Sequence, residues 1–418
     1  MGKRLRSRIY IGWWMNLLTS MLTGFSQAFA MQGASALFNP ISEEFNLSRA
    51  GASATSGITA ISNGVGFLLG GWLSDRYGPK RVIMSGTMIT SLSLLMLGAS
   101  PNPQVYFALW GVSAFGVSLG YTVAVDALVT NWFRRRRGAA FSVRFAVIGL
   151  VSSLTLPILN WLISTRGWRI SVAAWGGVLL ASMLTLSKFL IGGGPEDHGL
   201  LPDGSPIDGE GPDKDAQPPE AALNMKRIFR TRAYWILTAS FILYNTIFQG
   251  INIHIIPSLI DMGIDPITAG NLLALTTLSM IPSRLLSGFI ADKIKPGQIR
   301  FVMSASLLIW SSSIFAYLLM PKIAGVYVFL ILWGFGSGAY IPLDLIIRSR
   351  FFGRETFGRQ QGLSSMMSAP FTLFAPIYTG WMYDTTGSYA TPFTIFSLLT
   401  LMSALTICLA SPPKKTAS

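Results

Sequence analysis

The residue whose type and setting point most directly to chemistry is Arg284. It is the one charge in an apolar run, Asn271 to Ile290, that reads NLLALTTLSMIPSRLLSGFI and is long enough to cross a bilayer as a helix. Polar sequence resumes at Asp292, eight residues on. At about 1.5 Å per residue Arg284 then sits about 12 Å up the helix, near the middle of a hydrocarbon core about 30 Å thick. A cation at that depth is costly and normally faces a protein interior or a watery cavity, where it serves a substrate or ion pathway. No acidic residue lies within a helical turn, so a local partner is excluded. Two occupants stay open: a carboxylate on another helix, or the negative end of a small substrate, whose two oxygens the planar guanidinium fork matches.

Other titratable residues fall in apolar surroundings. Asp126 and Arg144 lie nine residues either side of Arg135, so in an antiparallel hairpin they sit at equal depth, where a mutual ion pair relieves the cost of each. Asp344 has Arg348 one turn onward, the spacing of a pair within one helix. Direct substrate contact by Asp126 and Arg144 stays open, and Asp126 and Asp344 are candidate proton carriers. His254, near the outer end of an apolar run, titrates close to neutrality and suits proton entry, although a packing histidine bonded to a backbone carbonyl explains it equally well. Tyr121, Tyr340, Asn245, Phe248, Phe335 and Ser364 fall at depths where they can line a substrate cavity, and all are also ordinary helix-packing residues.

The elements that must position these residues are membrane helices. The chain has 418 residues, 51% of them hydrophobic and only 12% charged, the composition of an integral membrane protein. Twelve apolar runs can be read, from Ile9 to Phe29 through to Pro392 to Leu409, with the seventh at Tyr234 to Ile256. The net charge of +14 does not indicate nucleic acid, because the basic residues mark one side of a membrane. With a cytoplasmic amino terminus, every Lys and Arg falls on the cytoplasmic side except Arg49, Arg166, Arg169 and Lys322 outside and Arg144 and Arg284 within the membrane. That bias places both termini in the cytoplasm of a multi-pass protein of the cell (inner or plasma) membrane. The lone Cys408 excludes a disulfide framework or a cysteine zinc site, and no cofactor is implied.

A Pro-, Gly- and Asp-rich stretch, read as a solvated cytoplasmic linker over 192–230 and containing His198, separates a six-helix half at 1–191 from another at 231–418. The halves repeat. Gly71-Trp-Leu-Ser-Asp75 returns 217 positions on as Gly288-Phe-Ile-Ala-Asp292, and Gly116, Gly120 and Asp126 return 218 positions on as Gly334, Gly338 and Asp344. Parallel duplication about the membrane normal is the arrangement of a transporter with its site between two halves. The longest polar segment has no convergent catalytic cluster, so an enzyme is not expected.

Gly71-Trp-Leu-Ser-Asp75-Arg76-Tyr-Gly78-Pro-Lys80-Arg81 resembles the signature loop of the major facilitator superfamily, in which the acid and its basic neighbours lock the cytoplasmic ends of the helices. Within that superfamily, Tyr10-Ile-Gly12-Trp13-Trp14, Phe25-Ser-Gln-Ala-Phe29, Asn131-Trp-Phe133 through Ala140, and the arginine followed by Gly288 look like the monocarboxylate transporters. Ile253-His254-Ile-Ile-Pro257 to Gly263 is similar to bacterial members and to oxalate and formate exchangers. The resemblance implies an all-α membrane protein of twelve transmembrane helices. It implies secondary active transport of a small monocarboxylate such as L-lactate or pyruvate, with a proton, by a functional monomer; the alternative is an exchanger of another organic anion or an efflux carrier. The chain departs from the animal carriers at Met31 and Met280, where they place a lysine and an aspartate, and it lacks the second cation of the oxalate exchanger between Gly362 and Trp381.

Overall fold

The computed structural model describes residues 10–29, 34–47, 49–189, 194–204, 225–320 and 323–413. Expectations for Lys3 to Arg8, Met31, Lys322, Lys414 and Lys415, and for the side chain of His198, lie outside the described residues. Among the described residues the protein is helical, with twelve long helices. In chain order these and the shorter helices are α1 (Ile11–Gln27), α2 (Ala34–Glu44), α3 (Arg49–Tyr77), α4 (Pro79–Leu97), α5 (Pro103–Val117), α6 (Ala124–Trp132), α7 (Arg137–Phe189), α8 (Met225–Ile228), α9 (Arg232–Asn252), α10 (Ile255–Asp261), α11 (Pro266–Lys293), α12 (Ile299–Leu319), α13 (Ile323–Phe352), α14 (Phe357–Thr386) and α15 (Ala390–Ile407).

Three departures from simple spans have local causes. α7 is two membrane helices run together, reversing at Gly167, whose φ of 77° and ψ of 161° a side-chain-bearing residue rarely adopts. The seventh run is not continuous: α9 ends at Asn252 and α10 starts at Ile255, leaving His254 in the break. Pro257 explains it, because its ring clashes with the carbonyl four residues back, at Ile253, yet is tolerated in the first turn of α10. Between α5 and α6, Ser118–Val123 forms a π-helical turn containing Tyr121, whose carbonyl accepts a hydrogen bond from Thr23 of α1 at 3.2 Å. Such turns concentrate at functional positions.

The helices form two compact units. One comprises Met1–Ala140, Val147–Pro219 and Phe357–Met366; the other comprises Phe141–Ala146, Glu220–Thr356 and Met367–Ser418. In the first, Gly86 of α4 and Gly120 meet so closely that a Cβ on Gly86 would lie 2.5 Å from the Gly120 Cα. In the second, a Cβ on Gly334 would lie 2.2 Å from the Thr276 carbonyl of α11, and one on Gly338 would lie 2.9 Å from the Met280 Cα. The repeated glycines are thus contact points at which helices approach without side chains, the means by which membrane helices associate where lipid removes the hydrophobic drive.

Burial is inverted relative to a water-soluble bundle. Leu154, Trp161, Leu405 and Leu409 are more than half exposed, while Thr19, Thr87, Thr90 and Ser313 are buried. Each of those buried hydroxyls donates to a carbonyl three or four residues back in its own helix, so none is left unsatisfied in an apolar setting. The linker is not solvated throughout. The Asp203 carboxylate accepts the backbone N–H groups of Arg134, Arg135 and Arg136 at 3.0, 2.7 and 3.3 Å, holding residues 194–204 on the loop between α6 and α7.

Candidate functional site

Arg284 lies two residues after Pro282 in α11, in the second unit. Its carbonyl accepts hydrogen bonds from the hydroxyls of Ser142 of α7 and Ser287, and the neighbouring Ser283 hydroxyl donates to the carbonyl of Phe335 on α13. The backbone carrying the guanidinium is therefore pinned from two helices. One terminal nitrogen donates to the Phe145 carbonyl at 3.1 Å and the other approaches the Met280 sulfur at 3.6 Å, with the Phe145 ring 6.0 Å from the guanidinium carbon. Among the described residues no carboxylate pairs with it, and the side chain is only half-buried. The cation is held in place by neutral groups.

Aromatic rings accompany it. Tyr244 of α9, within electrostatic range of Arg284, donates its hydroxyl to the Ser337 carbonyl at 3.1 Å. Its ring stacks on Tyr340 at 4.3 Å and on Phe248 at 5.8 Å. Tyr340 donates to Ser240 at 2.9 Å, and Asn245 donates to the Phe241 carbonyl of its own helix at 2.8 Å. Phe335 faces a different cavity, of about 110 Å³, together with Ser283, Leu286, Val302 and Ile309.

The remaining candidates are dispersed. His254 donates from Nε2 to the Pro376 carbonyl at 3.0 Å; that carbonyl cannot donate, so Nδ1 is the position left to take a proton. Asp344 receives the Arg348 Nε on both oxygens, at 3.0 and 2.8 Å, and neither side chain is exposed. In the first unit Tyr121, Asp126 and Ser364 are buried; Arg144, in the second, is buried too. The signature acid Asp75 accepts the N–H groups of Gly358 and Arg359 at 3.1 and 2.9 Å, so it caps the start of α14, where a carboxylate is favoured by the helix dipole. Gly71 makes this approach possible, since a Cβ there would lie 2.0 Å from the Gly358 carbonyl oxygen. Gly78, with φ of 82°, turns the chain between α3 and α4, beside the exposed Arg76 and Arg81. In the second unit the buried Gly288 precedes Asp292, which pairs with Arg350 at 2.9 Å.

The sequence matches the profile of the Major Facilitator Superfamily over residues 20–369 and 255–418. The chain belongs to that superfamily. It is therefore a multi-pass membrane transporter and not an enzyme. Among its relatives, Monocarboxylate transporter 13 of Bos taurus is 26% identical over 394 residues, covering 92% of this chain and 86% of the relative. Monocarboxylate transporter 11 of Homo sapiens is 25% identical over 402 residues, covering 93% and 81%. The uncharacterized transporter YycB of Bacillus subtilis is 22% identical over 385 residues, covering 90% and 88%. Of solved superfamily structures, the transporter FucP in its outward conformation aligns with a TM-score of 0.71 at 14% identity, over 95% of this chain and 98% of that one. The human organic anion transporter MFSD10 aligns with a TM-score of 0.64 at 15% identity, over 95% and 97%. These structural likenesses carry the fold.

The sequence singles out Arg284 as a candidate but not the groups that surround it. Met280 precedes it by one helical turn, a spacing that makes contact legible. Ser142 and Phe145 come from a helix 142 and 139 positions away, and Tyr244 from another; nothing in their spacing marks them.

Proposed function

We propose that this superfamily member carries a small monocarboxylate, of the size of L-lactate or pyruvate, across the cell membrane by alternating access, as a monomer with both termini in the cytoplasm. The observation that carries the reading is the guanidinium of Arg284, held by neutral groups and with no carboxylate partner among the described residues. One such cation suits one carboxylate, through two parallel N–H···O bonds. The apolar faces of Phe145 and Tyr244 suit a short carbon skeleton. The names of the animal relatives support the same substrate class.

Proton symport completes the proposal. Short carboxylic acids titrate in the range of Asp and Glu, so at neutral pH the substrate is an anion, and moving it alone against a negative-inside potential costs about 2.3 kcal/mol per 100 mV. A cotransported proton removes that cost. His254, whose Nδ1 has no partner among the described residues, is the leading carrier, ahead of Asp344, which is fully engaged by Arg348, and of Asp126. The buried Asp126 and Arg144 are proposed to brace each other.

Proteoliposome uptake of radiolabelled short carboxylates tests the substrate class. Uptake of lactate or pyruvate that rises below about pH 7, follows an imposed pH gradient and is abolished by Arg284→Ala supports the proposal. Uptake that is electrogenic and indifferent to pH replaces symport with uniport or anion exchange. No uptake of any short carboxylate overturns the substrate class.

A further inference from the structure

The second unit carries a cavity unrelated to Arg284. It has a volume of about 280 Å³ and lies where α8 meets the start of α9 and the segment after α15, lined by Arg227, Thr231, Arg232, Ser411, Pro412 and Pro413. None of these lining residues is acidic. Its surroundings are basic as well: from Met225 to Trp235 the sequence reads MKRIFRTRAYW, with Lys226, Arg227, Arg230 and Arg232 all exposed and no Asp or Glu among them. That concentration of positive charge raises the local potential and attracts anions.

The same stretch bears the marks of a membrane surface. Phe229 and Trp235 are 38% and 48% exposed, an uncommon state for such rings in contact with water alone. The Trp235 indole N–H donates to the Phe229 carbonyl at 2.8 Å, so the two rings are held together beside the arginines. Tryptophan is enriched at the headgroup level of bilayers, where one end of the ring is wet and the other apolar. The segment begins a membrane helix on the side that the charge bias assigns to the cytoplasm, the side of the anionic lipids.

We infer that this cavity binds a phosphate-bearing anion, and specifically the headgroup of an anionic phospholipid, with Arg227 and Arg232 on the phosphate and the acyl chains running along Phe229 and Trp235. An ion in solution would use the arginines but would leave the exposed rings without a role. A cavity of this size takes a glycerophosphate group, and guanidinium groups match phosphate oxygens as they match carboxylates.

The test uses the full-length protein in detergent, titrated in native mass spectrometry with phosphatidylglycerol, with phosphatidylethanolamine and with inorganic phosphate. The expected result is one tightly held phosphatidylglycerol, bound at least about tenfold better than phosphatidylethanolamine. Arg227→Gln with Arg232→Gln should abolish that preference. Arg227→Lys with Arg232→Lys should keep part of it. Lys293→Gln with Lys295→Gln, which neutralises exposed basic residues elsewhere, should leave it intact. The four residues are exposed, so these variants are expected to fold. Equal phosphatidylglycerol preference in the Arg→Gln variant, or equal loss in the Lys→Gln variant, would overturn the site in favour of diffuse surface charge. Displacement of the lipid by inorganic phosphate at comparable concentration would overturn the lipid in favour of a soluble phosphate.

Discussion

Position 284 in the second repeat corresponds to position 67 in the first, since Gly288 corresponds to Gly71. One is arginine and the other phenylalanine. The helix frame around them is nevertheless the same. In the first unit the Phe67 carbonyl is approached by Gly362 near the start of α14, where a Cβ would lie 2.4 Å away. In the second unit the Arg284 carbonyl receives the hydroxyl of Ser142 near the start of α7. Deeper in each repeat, Asp126 is followed one turn later by Thr130, whose hydroxyl turns back to the Asp126 carbonyl at 2.9 Å; Asp344 is followed by Arg348, which clasps its carboxylate. Duplication has kept the backbone crossings and let the charges diverge. The lesson is that glycine and serine contacts define the frame, whereas the charged side chains are free to differ between the repeats.

The largest expected effect follows from that asymmetry. Arg284→Ala should abolish measurable carboxylate uptake, a loss of about 5 kcal/mol or several thousandfold, the upper range for removing one partner of a desolvated charge pair. Arg284→Lys should recover little, because an ammonium keeps the charge but not the fork. Phe67→Arg in the Arg284→Ala background should restore nothing, because the Phe145 carbonyl and Met280 sulfur that orient the Arg284 fork belong to the second unit. Uptake assays on protein verified to be folded by size-exclusion chromatography check all three. Recovery in the double variant would show the repeats to be chemically equivalent after all.

Next in size is the buried pair. Asp344→Asn should leave Arg348 uncompensated and cost about 3–5 kcal/mol of stability, whereas Asp344→Leu combined with Arg348→Met should cost less than the single change. At the corresponding position of the first repeat, Asp126→Asn and Arg144→Gln should each destabilise, with the double variant milder than the sum. Thermal unfolding in detergent measures both sets. Strict additivity of the second set would show that Asp126 and Arg144 do not brace each other.

The frame was legible because the duplication is written in glycines and acids at offsets of 217 and 218, and Arg284 stood out as a candidate because it is the one charge in an apolar run. The π-turn at Ser118–Val123 was not, since Ser-Leu-Gly-Tyr-Thr-Val reads like any stretch of membrane helix. The break at His254 carried a signal in Pro257, but a hydropathy window averages across a two-residue interruption. The docked part of the linker was hidden for another reason. Polar composition says that a segment tolerates water, and Asp203 meets three amide N–H groups that only the folded loop lines up.

That contact gives a smaller prediction, which asks whether the first unit depends on its linker in a way the repeat alone would not require. Asp203 has φ of 67°, a left-handed conformation that Asn shares. Asp203→Ala should cost about 1–2 kcal/mol, since it removes a charged acceptor from three donors and strains the turn. Asp203→Asn should cost about half as much. Limited proteolysis of the linker, read as the ratio of cleavage rates, separates them: faster cutting of the alanine variant is expected, and equal rates would show that the loop is held by something else.

The smallest effect concerns the far surface of the molecule, where the repeats diverge again. Glu44 ends α2, and its counterpart 217 positions on is Asp261, which ends α10. Asp261 meets a neutral partner, the phenol of Tyr383. Glu44 meets a cation: Arg169 donates to one oxygen at 2.9 and 2.5 Å, and the Trp168 indole donates to the other at 2.5 Å. Both residues are presented by the turn at Gly167. Burial is the largest single influence on Glu44 and opposes its ionisation, but the hydrogen bonds from Arg169 and Trp168 and the charge of Arg169 together outweigh it and hold the carboxyl below its ordinary 4.5. A depressed carboxylate adds stability above its unfolded pKa and loses it as pH falls through the folded value. The melting temperature should therefore be level in this respect above about pH 5 and should lose the Glu44 contribution as the pH drops below 4.5. The pair is about one-third exposed on each side, so its contribution is about 1 kcal/mol or less. Glu44→Gln should remove that part of the acid dependence and leave Arg169 anchored by the Gly98 and Ser100 carbonyls at 3.1 and 2.8 Å. Arg169→Ala, which loses those carbonyls as well, should destabilise more at every pH. If Glu44→Gln and the unmodified protein show the same acid profile, the Glu44 carboxylate contributes no more than a neutral amide would, and the divergence from Asp261 at this position is without energetic consequence.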